Sequence, residues 1–285
     1  MTYQQSTPVA SKPVKTSRAG RNLPAAIGVG AALGAIAIVV LFFAPMGWLA
    51  VLAVAMPIAT HELGRRLREA GYDIPVLALL LGGQAMIWLT WPFGAPGLLG
   101  AYGATIVACM VWRLVGHAEH PVNYLRDVSA AVLIATWVPL FASFTALLIF
   151  QDHGGMRVFT VIVTVVFADI GGYTAGVLFG KHLMVPAISP KKSWEGLGGS
   201  LLFGVSAAVL SVTFLLDKPA WVGTPLGLML VVTGVLGDLV ESQVKRDLGI
   251  KDMGTLLPGH GGLMDRIDAM LPSAVAGWIV LTLLA

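Results

Sequence analysis

Hydrophobic residues occupy long runs along this chain, and short polar segments separate one run from the next. Each run is about 15 to 24 residues long, close to the roughly 20 residues with which an α-helix crosses a bilayer. The pattern therefore predicts an all-α polytopic membrane protein with about nine transmembrane helices and a polar site at the cytoplasmic face. The predicted spans are 24–43, 47–61, 75–91, 96–114, 128–150, 157–180, 197–216, 221–241 and 270–285.

The charged residues support this topology. Of the 285 residues, 56% are hydrophobic and only 12% are charged, too few for the surface of a soluble domain of this size. If successive loops lie on opposite faces, all 18 Lys and Arg residues except Arg157 and Lys218 fall on the face of the N-terminus. Because loops on the cytoplasmic side carry the excess of Lys and Arg, we predict a cell-membrane protein with a cytoplasmic N-terminus and an external C-terminus.

Three regions follow from composition. Residues 1–23 hold no acidic residue and many Ser, Thr, Gln and Pro, which predicts a disordered basic cytoplasmic tail. Residues 24–150 form the N-terminal transmembrane helices. Residues 151–285 form a C-terminal transmembrane region, which the polar motifs described below predict to be catalytic. Cys109 is the only cysteine, which excludes an intramolecular disulfide and a thiolate metal cluster.

Five polar residues end the second hydrophobic run, where a helix would reach the lipid headgroups. They are His61, Glu62, Arg65, Arg66 and Arg68. We interpret them as a topological anchor, with contact to an acidic lipid as the alternative.

Asp169 lies inside a hydrophobic run and is followed by Gly171, Gly172 and Tyr173. An unpaired carboxylate at that depth costs several kcal/mol, so Asp169 should face the bundle interior and meet a cation, a donor or a proton. A structural hydrogen bond to a neighbouring helix is the alternative.

A basic segment follows the same run. Pro190 restrains the backbone, Lys191 and Lys192 supply two positive charges, and Ser193 is placed to cap the next helix. Free N–H groups at a helix start beside lysines form a phosphate site.

Ionisable residues are densest between 238 and 268. Asp238, Glu241, Ser242 and Lys245 follow the spacing i, i+3, i+4 and i+7, so one face of a helix carries two carboxylates, a hydroxyl and a cation. Residues 258–262, which include His260, form a glycine-rich turn that leads to the next run.

Three charged residues, Asp265, Arg266 and Asp268, stand at the entrance to that last run. Carboxylates from two separate elements, surrounded by Lys and Arg, suit Mg²⁺ that bridges a polyphosphate better than they suit zinc. The residues alone therefore indicate metal-assisted phosphoryl or nucleotidyl transfer at the cytoplasmic face of a membrane.

The stretch Ser242-x-x-Lys245-Arg246-x4-Lys251-Asp252, followed by Pro258-x-His260-Gly261-Gly262-x-x-Asp265-Arg266-x-Asp268, resembles the signature of the phosphatidate cytidylyltransferase family, also called CDP-diacylglycerol synthases. The segments 169–173 and 189–196 resemble parts of that family as well, whereas residues 1–150 carry no matching motif. The resemblance implies that CTP and phosphatidate react to give CDP-diacylglycerol and pyrophosphate for phospholipid biosynthesis, with a divalent cation.

The resemblance also implies roles for individual residues. Catalytic residues would be Asp238, Lys245, Asp265, Arg266 and Asp268, and the metal ligands among them Asp238, Asp265 and Asp268. Substrate-binding residues would be Asp169, Lys191, Lys192, Ser193, Ser242, Arg246, Lys251 and His260. Mg²⁺ is the expected cofactor, and a second, monovalent cation is left open.

The expected partners are CTP, phosphatidate and membrane lipids; nucleic acid is not expected, and a homodimer is left open. Two other functions are weighed. A CTP-dependent lipid-alcohol kinase of the dolichol type would use a similar site but release CDP rather than pyrophosphate. An ion-coupled transporter would need polar residues along a path to both faces, whereas here the charges cluster on one side.

Overall fold

The computed structural model describes residues 23–116, 122–256 and 261–285, and most of them are helical. The first helices are α1 (Leu23–Phe43), α2 (Gly47–Glu69), α3 (Val76–Trp88), α4 (Thr90–Gly116), α5 (Tyr124–Ala135) and α6 (Phe141–Ile149). They are followed by α7 (Gly154–Phe179), α8 (Trp194–Leu215), α9 (Ala220–Asp247), α10 (Met264–Ile267) and α11 (Met270–Leu284). The predicted disordered tail, up to residue 22, and His260 lie outside the described residues.

Within the described residues, seven helical stretches are long and apolar enough to cross a membrane. They comprise α2, α4, α7, α8, α9, the stretch Tyr124–Ile149 and the stretch Met264–Leu284. Two further apolar helices, Gly30–Phe43 within α1 and α3, are shorter. The polytopic helical fold is therefore confirmed, while a total of nine crossings stays a prediction.

Two of the long stretches are irregular, each for a local reason. Between α5 and α6 the backbone forms a π-helical segment, Thr136–Leu140, at Pro139, which has no N–H to donate. In α4 the backbone of Gly94 has φ 59° and ψ −140°, so two helices meet there at a kink. The hydrophobic run predicted from the sequence, 96–114, starts two residues after this kink.

A short β-hairpin interrupts the helices between α7 and α8. Its strands, β1 (Leu183–Val185) and β2 (Ser189–Ser193), are antiparallel, and Leu183 pairs with Ser193. The prediction of helices and loops alone was wrong here, because strands this short show no hydrophobic alternation. The hairpin fixes the two adjacent lysines of β2 immediately before α8.

Helices α7 and α8 approach until their backbones touch. A Cβ on Gly171 would lie 2.5 Å from the carbonyl oxygen of Gly199, and one on Gly199 would lie 2.4 Å from that of Gly171. The Ser200 hydroxyl donates to the Ala168 carbonyl at 2.8 Å, which fixes this contact. Small residues allow such close packing of membrane helices. The contact places Asp169 of α7 beside the N-terminal end of α8.

Candidate active site

A cavity of about 310 Å³ lies between α7, the hairpin and α9. Its lining includes Asp169 from α7, Lys191, Lys192 and Ser193 from β2, and Asp238 from α9. The fold thus gathers five predicted site residues from three separate elements. The volume is at the lower end of the roughly 300 to 1,000 Å³ that is usual for ligand pockets.

Lys192 and Asp238 form an ion pair across this cavity. Their Nζ and Oδ2 atoms are 2.7 Å apart, and the side chains are 21% and 41% exposed. Lys192 Nζ also donates to the carbonyl of Val235 at 3.3 Å, and the Ser242 hydroxyl donates to Asp238 Oδ1 at 3.3 Å. Because both partners are partly exposed, a bound anion can compete with Asp238 for the ammonium group.

Asp169 lines the same cavity and is exposed to it. It makes no hydrogen bond to any residue within the described ranges, so the alternative of a structural hydrogen bond finds no support there. Lys192 and Asp238 are both close enough to interact with it electrostatically. Asp169 therefore contributes negative charge to a cavity that already contains a lysine and a second carboxylate.

Ser193 caps α8, as the sequence predicts. Its hydroxyl accepts a hydrogen bond from the Gly196 N–H at 3.1 Å, and both residues line the cavity. The positive end of the α8 dipole and the Lys191 and Lys192 ammonium groups lie on the same side. This arrangement suits a phosphate group, and the role itself stays a prediction.

A second polar cluster lies around Lys245 of α9. Its ammonium group contacts Glu241 Oε2 one turn earlier on the helix, and Asp265 Oδ1 at 3.0 Å. Asp265 Oδ2 accepts hydrogen bonds from the backbone N–H groups of Met253 at 2.9 Å and Gly262 at 2.8 Å. The side chain of Asp265 is only 4% exposed. Asp265 therefore joins the two ends of the segment between α9 and α10, which we call the glycine-rich loop.

Glu241 and Asp268 place two further carboxylates beside this cluster. Glu241 is 1% exposed, and its Oε1 atom has no hydrogen-bond partner within the described residues. Asp268 is also buried and interacts electrostatically with Glu241 and Asp238. A Cβ on Gly237 would lie 2.5 Å from the Asp268 carbonyl oxygen, so only a glycine lets α9 approach this closely.

The three predicted metal ligands fall into different surroundings. Asp238 pairs with Lys192, and both oxygens of Asp265 are engaged by Lys245 and the loop. Among residues 23–116, 122–256 and 261–285, no three His, Cys, Asp or Glu side chains are arranged to hold a metal. The donor chemistry still fits Mg²⁺ at the unpartnered Glu241 oxygen beside Asp268, because both groups offer hard oxygen ligands.

Three of the remaining predicted residues, Arg246, Lys251 and Arg266, lie in the described part of the chain. Arg246 Nε donates to the Ile188 carbonyl at 3.3 Å and so links the end of α9 to the hairpin. Lys251 and Arg266 are exposed. His260 is in the part of the loop that lies outside the described residues.

Glu62 and Arg66 of α2 contact the loop, although nothing in the sequence predicts this contact. Glu62 Oε2 accepts a hydrogen bond from the Met264 N–H at 2.9 Å, and Arg66 Nε donates to the Met253 carbonyl at 2.8 Å. Glu62 is 8% exposed. The interpretation of these residues as a topological anchor did not indicate these contacts, whose partners lie 187 and 202 residues further along the chain. The one local signal was their four-residue spacing, which places them on one helix face.

Comparison with known proteins matches nearly the whole chain. Residues 25–284 match the profile of the "Cytidylyltransferase family". The chain is 60% identical over 280 residues to the phosphatidate cytidylyltransferase of Mycobacterium bovis, which covers 95% of this chain and 92% of that protein. It is 60% identical to the enzyme of that name from Mycobacterium tuberculosis H37Rv, over 95% of this chain and 85% of that protein. It is 59% identical to the phosphatidate cytidylyltransferase of Mycobacterium leprae, over 94% of this chain and 90% of that protein.

Proposed function

The chain belongs to the cytidylyltransferase family, and we propose that it is a membrane-embedded phosphatidate cytidylyltransferase. It transfers CMP from CTP to phosphatidate and yields CDP-diacylglycerol and pyrophosphate for phospholipid biosynthesis. The observation that carries this function is the 60% identity to phosphatidate cytidylyltransferases over 95% of the chain. The relatives support neither the lipid-alcohol kinase nor the transporter considered from the sequence.

The reaction needs alignment and charge neutralisation more than a protein nucleophile. An oxygen of the phosphatidate phosphate attacks the α-phosphorus of CTP, the bond from that phosphorus to the β-phosphate oxygen breaks, and pyrophosphate leaves with the electron pair. The nucleophile is already an anion, so no Ser-His pair is required. Holding the two phosphates in line accounts for much of the acceleration of such a transfer.

The cavity supplies the groups that this transfer requires. Lys192 and Lys191 stand at a helix N-terminus, where negative charge that develops on phosphate oxygens is stabilised. When a phosphate enters, it competes with Asp238 for Lys192, since that ion pair is partly exposed. Asp238 would then be free to hold a cation that accompanies the substrate.

Mg²⁺ is part of this proposal. Glu241 and Asp268 offer hard oxygen ligands next to Asp238, and one buried Glu241 oxygen has no partner among the described residues. Asp265, the other predicted ligand, would have to exchange Lys245 or a loop N–H for the metal, because its oxygens are already engaged. When bound, the ion would neutralise phosphate charge and align the leaving group.

The membrane arrangement extends the same proposal. Nine crossings, with α1 and α3 as short ones, put the cavity, the hairpin and the loop on the face that holds most basic residues. That face is the cytoplasmic side of the cell membrane, where CTP is available, while the acyl chains of phosphatidate stay in the bilayer. A homodimer stays a prediction from the sequence.

The test is turnover by the purified protein in detergent. With CTP, phosphatidate and Mg²⁺, we expect pyrophosphate and a CMP-containing lipid in equal amounts, and neither product when phosphatidate is omitted. Pyrophosphate release that does not depend on phosphatidate would contradict the proposed function.

A further inference from the structure

Helix α2 contacts both ends of the glycine-rich loop, although it lies in the opposite half of the chain. We call residues 252–254 the first loop arm and residues 261–264 the second loop arm. Glu62 and Arg66 lie one turn apart on α2 and face these arms. One carboxylate and one guanidinium thus hold the backbone of a distant segment.

Glu62 fits between the two arms. Its Oε2 atom accepts from the Met264 N–H of the second arm, and its Oε1 atom is buried without a hydrogen-bond partner in the described residues. A Cβ on Gly254 would lie 2.2 Å from Oε1, and one on Gly262 would lie 2.5 Å from Oε2. Both arms therefore need glycine where they enclose this carboxylate. Burial of a carboxylate is costly, which argues against an incidental contact.

Arg66 holds the first arm from the other side. Its Nε donates to the Met253 carbonyl at 2.8 Å, and its Nη2 donates to the Asp252 carbonyl at 3.3 Å. A third nitrogen pairs with Glu69 at 2.8 Å, which orients the guanidinium plane. Hydrogen bonds from a charged donor are among the stronger ones in proteins.

The same two arms are joined by Asp265. Its carboxylate accepts from the N–H groups of Met253 and Gly262, and it contacts Lys245. Met253 is therefore held through its carbonyl by α2 and through its N–H by Asp265. Any shift of the first arm moves the partner that fixes the Asp265 carboxylate.

We propose that Glu62 and Arg66 are positioning residues, which hold the two loop arms and thereby set the Asp265 and Lys245 side chains for CMP transfer. This inference rests on the proposed function. It assigns a task to α2, namely to pre-organise the loop before substrates bind. A displacement of about 1 Å in such a site can reduce turnover by about 100-fold.

The test combines kinetics with a direct probe of the loop. Thr255 is exposed next to the first arm, and the only native cysteine, Cys109, is buried, so Thr255→Cys gives a single site for a nitroxide spin label. We expect Glu62→Ala and Arg66→Gln to increase the mobility of the label without substrate. We also expect them to lower kcat by about 10- to 100-fold, with a smaller change in KM for CTP.

Matched variants separate positioning from folding. Arg65→Gln alters the neighbouring arginine, which is 64% exposed and pairs with Glu69, and should change neither label mobility nor kcat. Glu62→Gln keeps one acceptor for the Met264 N–H and should recover part of the kcat lost in Glu62→Ala. If Glu62→Ala fails to fold, label mobility and kcat are compared with the wild type in Glu62→Gln and Arg66→Lys instead.

An immobile label and unchanged kcat in the folded Glu62 and Arg66 variants would overturn the inference. So would a loss of kcat that follows the unfolding temperature alone, with no change at the label. The mobility of the label is measured without CTP or phosphatidate. Glu62 and Arg66 can therefore be shown to hold the loop arms even if the wild-type protein fails the turnover test. A failure of the inference and a failure of the proposed function are thereby distinguished.

Discussion

Lys192 of the hairpin lies 2.7 Å from Asp238 of α9, across the cavity that also contains Asp169. This ion pair joins two segments that are more than 40 residues apart in the sequence, a lysine-rich strand and the start of the densest group of ionisable residues. Each partner is partly exposed, so the pair contributes little to stability and is available to a charged ligand. We therefore expect the Lys192–Asp238 ion pair to act in substrate binding and turnover rather than in stability.

Replacement of Lys192 tests that expectation. Lys192→Gln removes the ammonium but keeps a polar chain, and we expect kcat/KM to fall by about 10- to 1,000-fold, as for other donors that stabilise developing charge. The unfolding temperature should change little, because the pair is partly exposed. Lys218→Gln, at the opposite end of α8, is the control. Equal turnover by the two variants would show that Lys192 does not contribute to the reaction.

Asp265 is expected to matter for both the loop and the reaction. Asp265→Asn turns one acceptor into a donor that faces the Met253 and Gly262 N–H groups or Lys245, at a cost of about 1 to 3 kcal/mol for an unsatisfied buried group. We expect an assembled protein with a lower unfolding temperature and about 100-fold less turnover. Asp247→Asn, on the exposed end of α9, should behave as wild type. Near-normal turnover of Asp265→Asn would contradict the role given to Asp265.

Two adjacent glycines of α8 provide a test of the close contact with α7. A Cβ on Gly199 would lie 2.4 Å from the Gly171 carbonyl oxygen, whereas one on Gly198 would meet nothing within 4 Å. Gly199→Ala is therefore expected to lower the free energy of unfolding by about 1 to 3 kcal/mol and to impair turnover, since overpacking moves α7 and Asp169. Thermal unfolding in detergent should show Gly198→Ala unchanged. A stable and active Gly199→Ala variant would contradict this expectation, because it would show that α7 and α8 accommodate the added methyl group without loss of stability.

Removal of divalent metal tests the cofactor. Excess EDTA should stop turnover, and Mg²⁺ added beyond the chelator should restore it, because Glu241 and Asp268 offer hard oxygen ligands beside Asp238. Replacement of Glu241 by Gln should raise the Mg²⁺ concentration needed for half-maximal rate. Full turnover in EDTA would refute the metal requirement.

The sequence predicted the helices well and the long-range contacts poorly. Among the described residues, hydrophobic runs located the seven helical stretches long enough to cross a membrane and the two shorter apolar helices. The spacing around Asp238 and Ser242 correctly placed them on one face. Ser193 was recognised as a helix cap because capping depends on local residue types. These features all depend on residues near one another in the chain.

Other features depend on packing and could not be inferred in this way. The β1–β2 hairpin has too few residues for a periodic signal, and the separation of Asp238 from Asp265 is set by which cation each one meets. The contacts of Glu62 and Arg66 with the loop join opposite halves of the chain, and the four-residue spacing of these residues does not indicate which segment they contact. The part of the site contributed by α2 therefore became visible only in the folded protein.

The central claim is that this chain transfers CMP, and CTP labelled at either end tests it most directly. The purified protein is given phosphatidate, Mg²⁺ and CTP that carries the label on the α- or the γ-phosphate, and the lipid and water-soluble products are separated. We predict that the α-label enters the lipid and that the γ-label leaves as pyrophosphate. Transfer of the γ-label to a lipid with release of CDP would contradict the claim and indicate a lipid kinase.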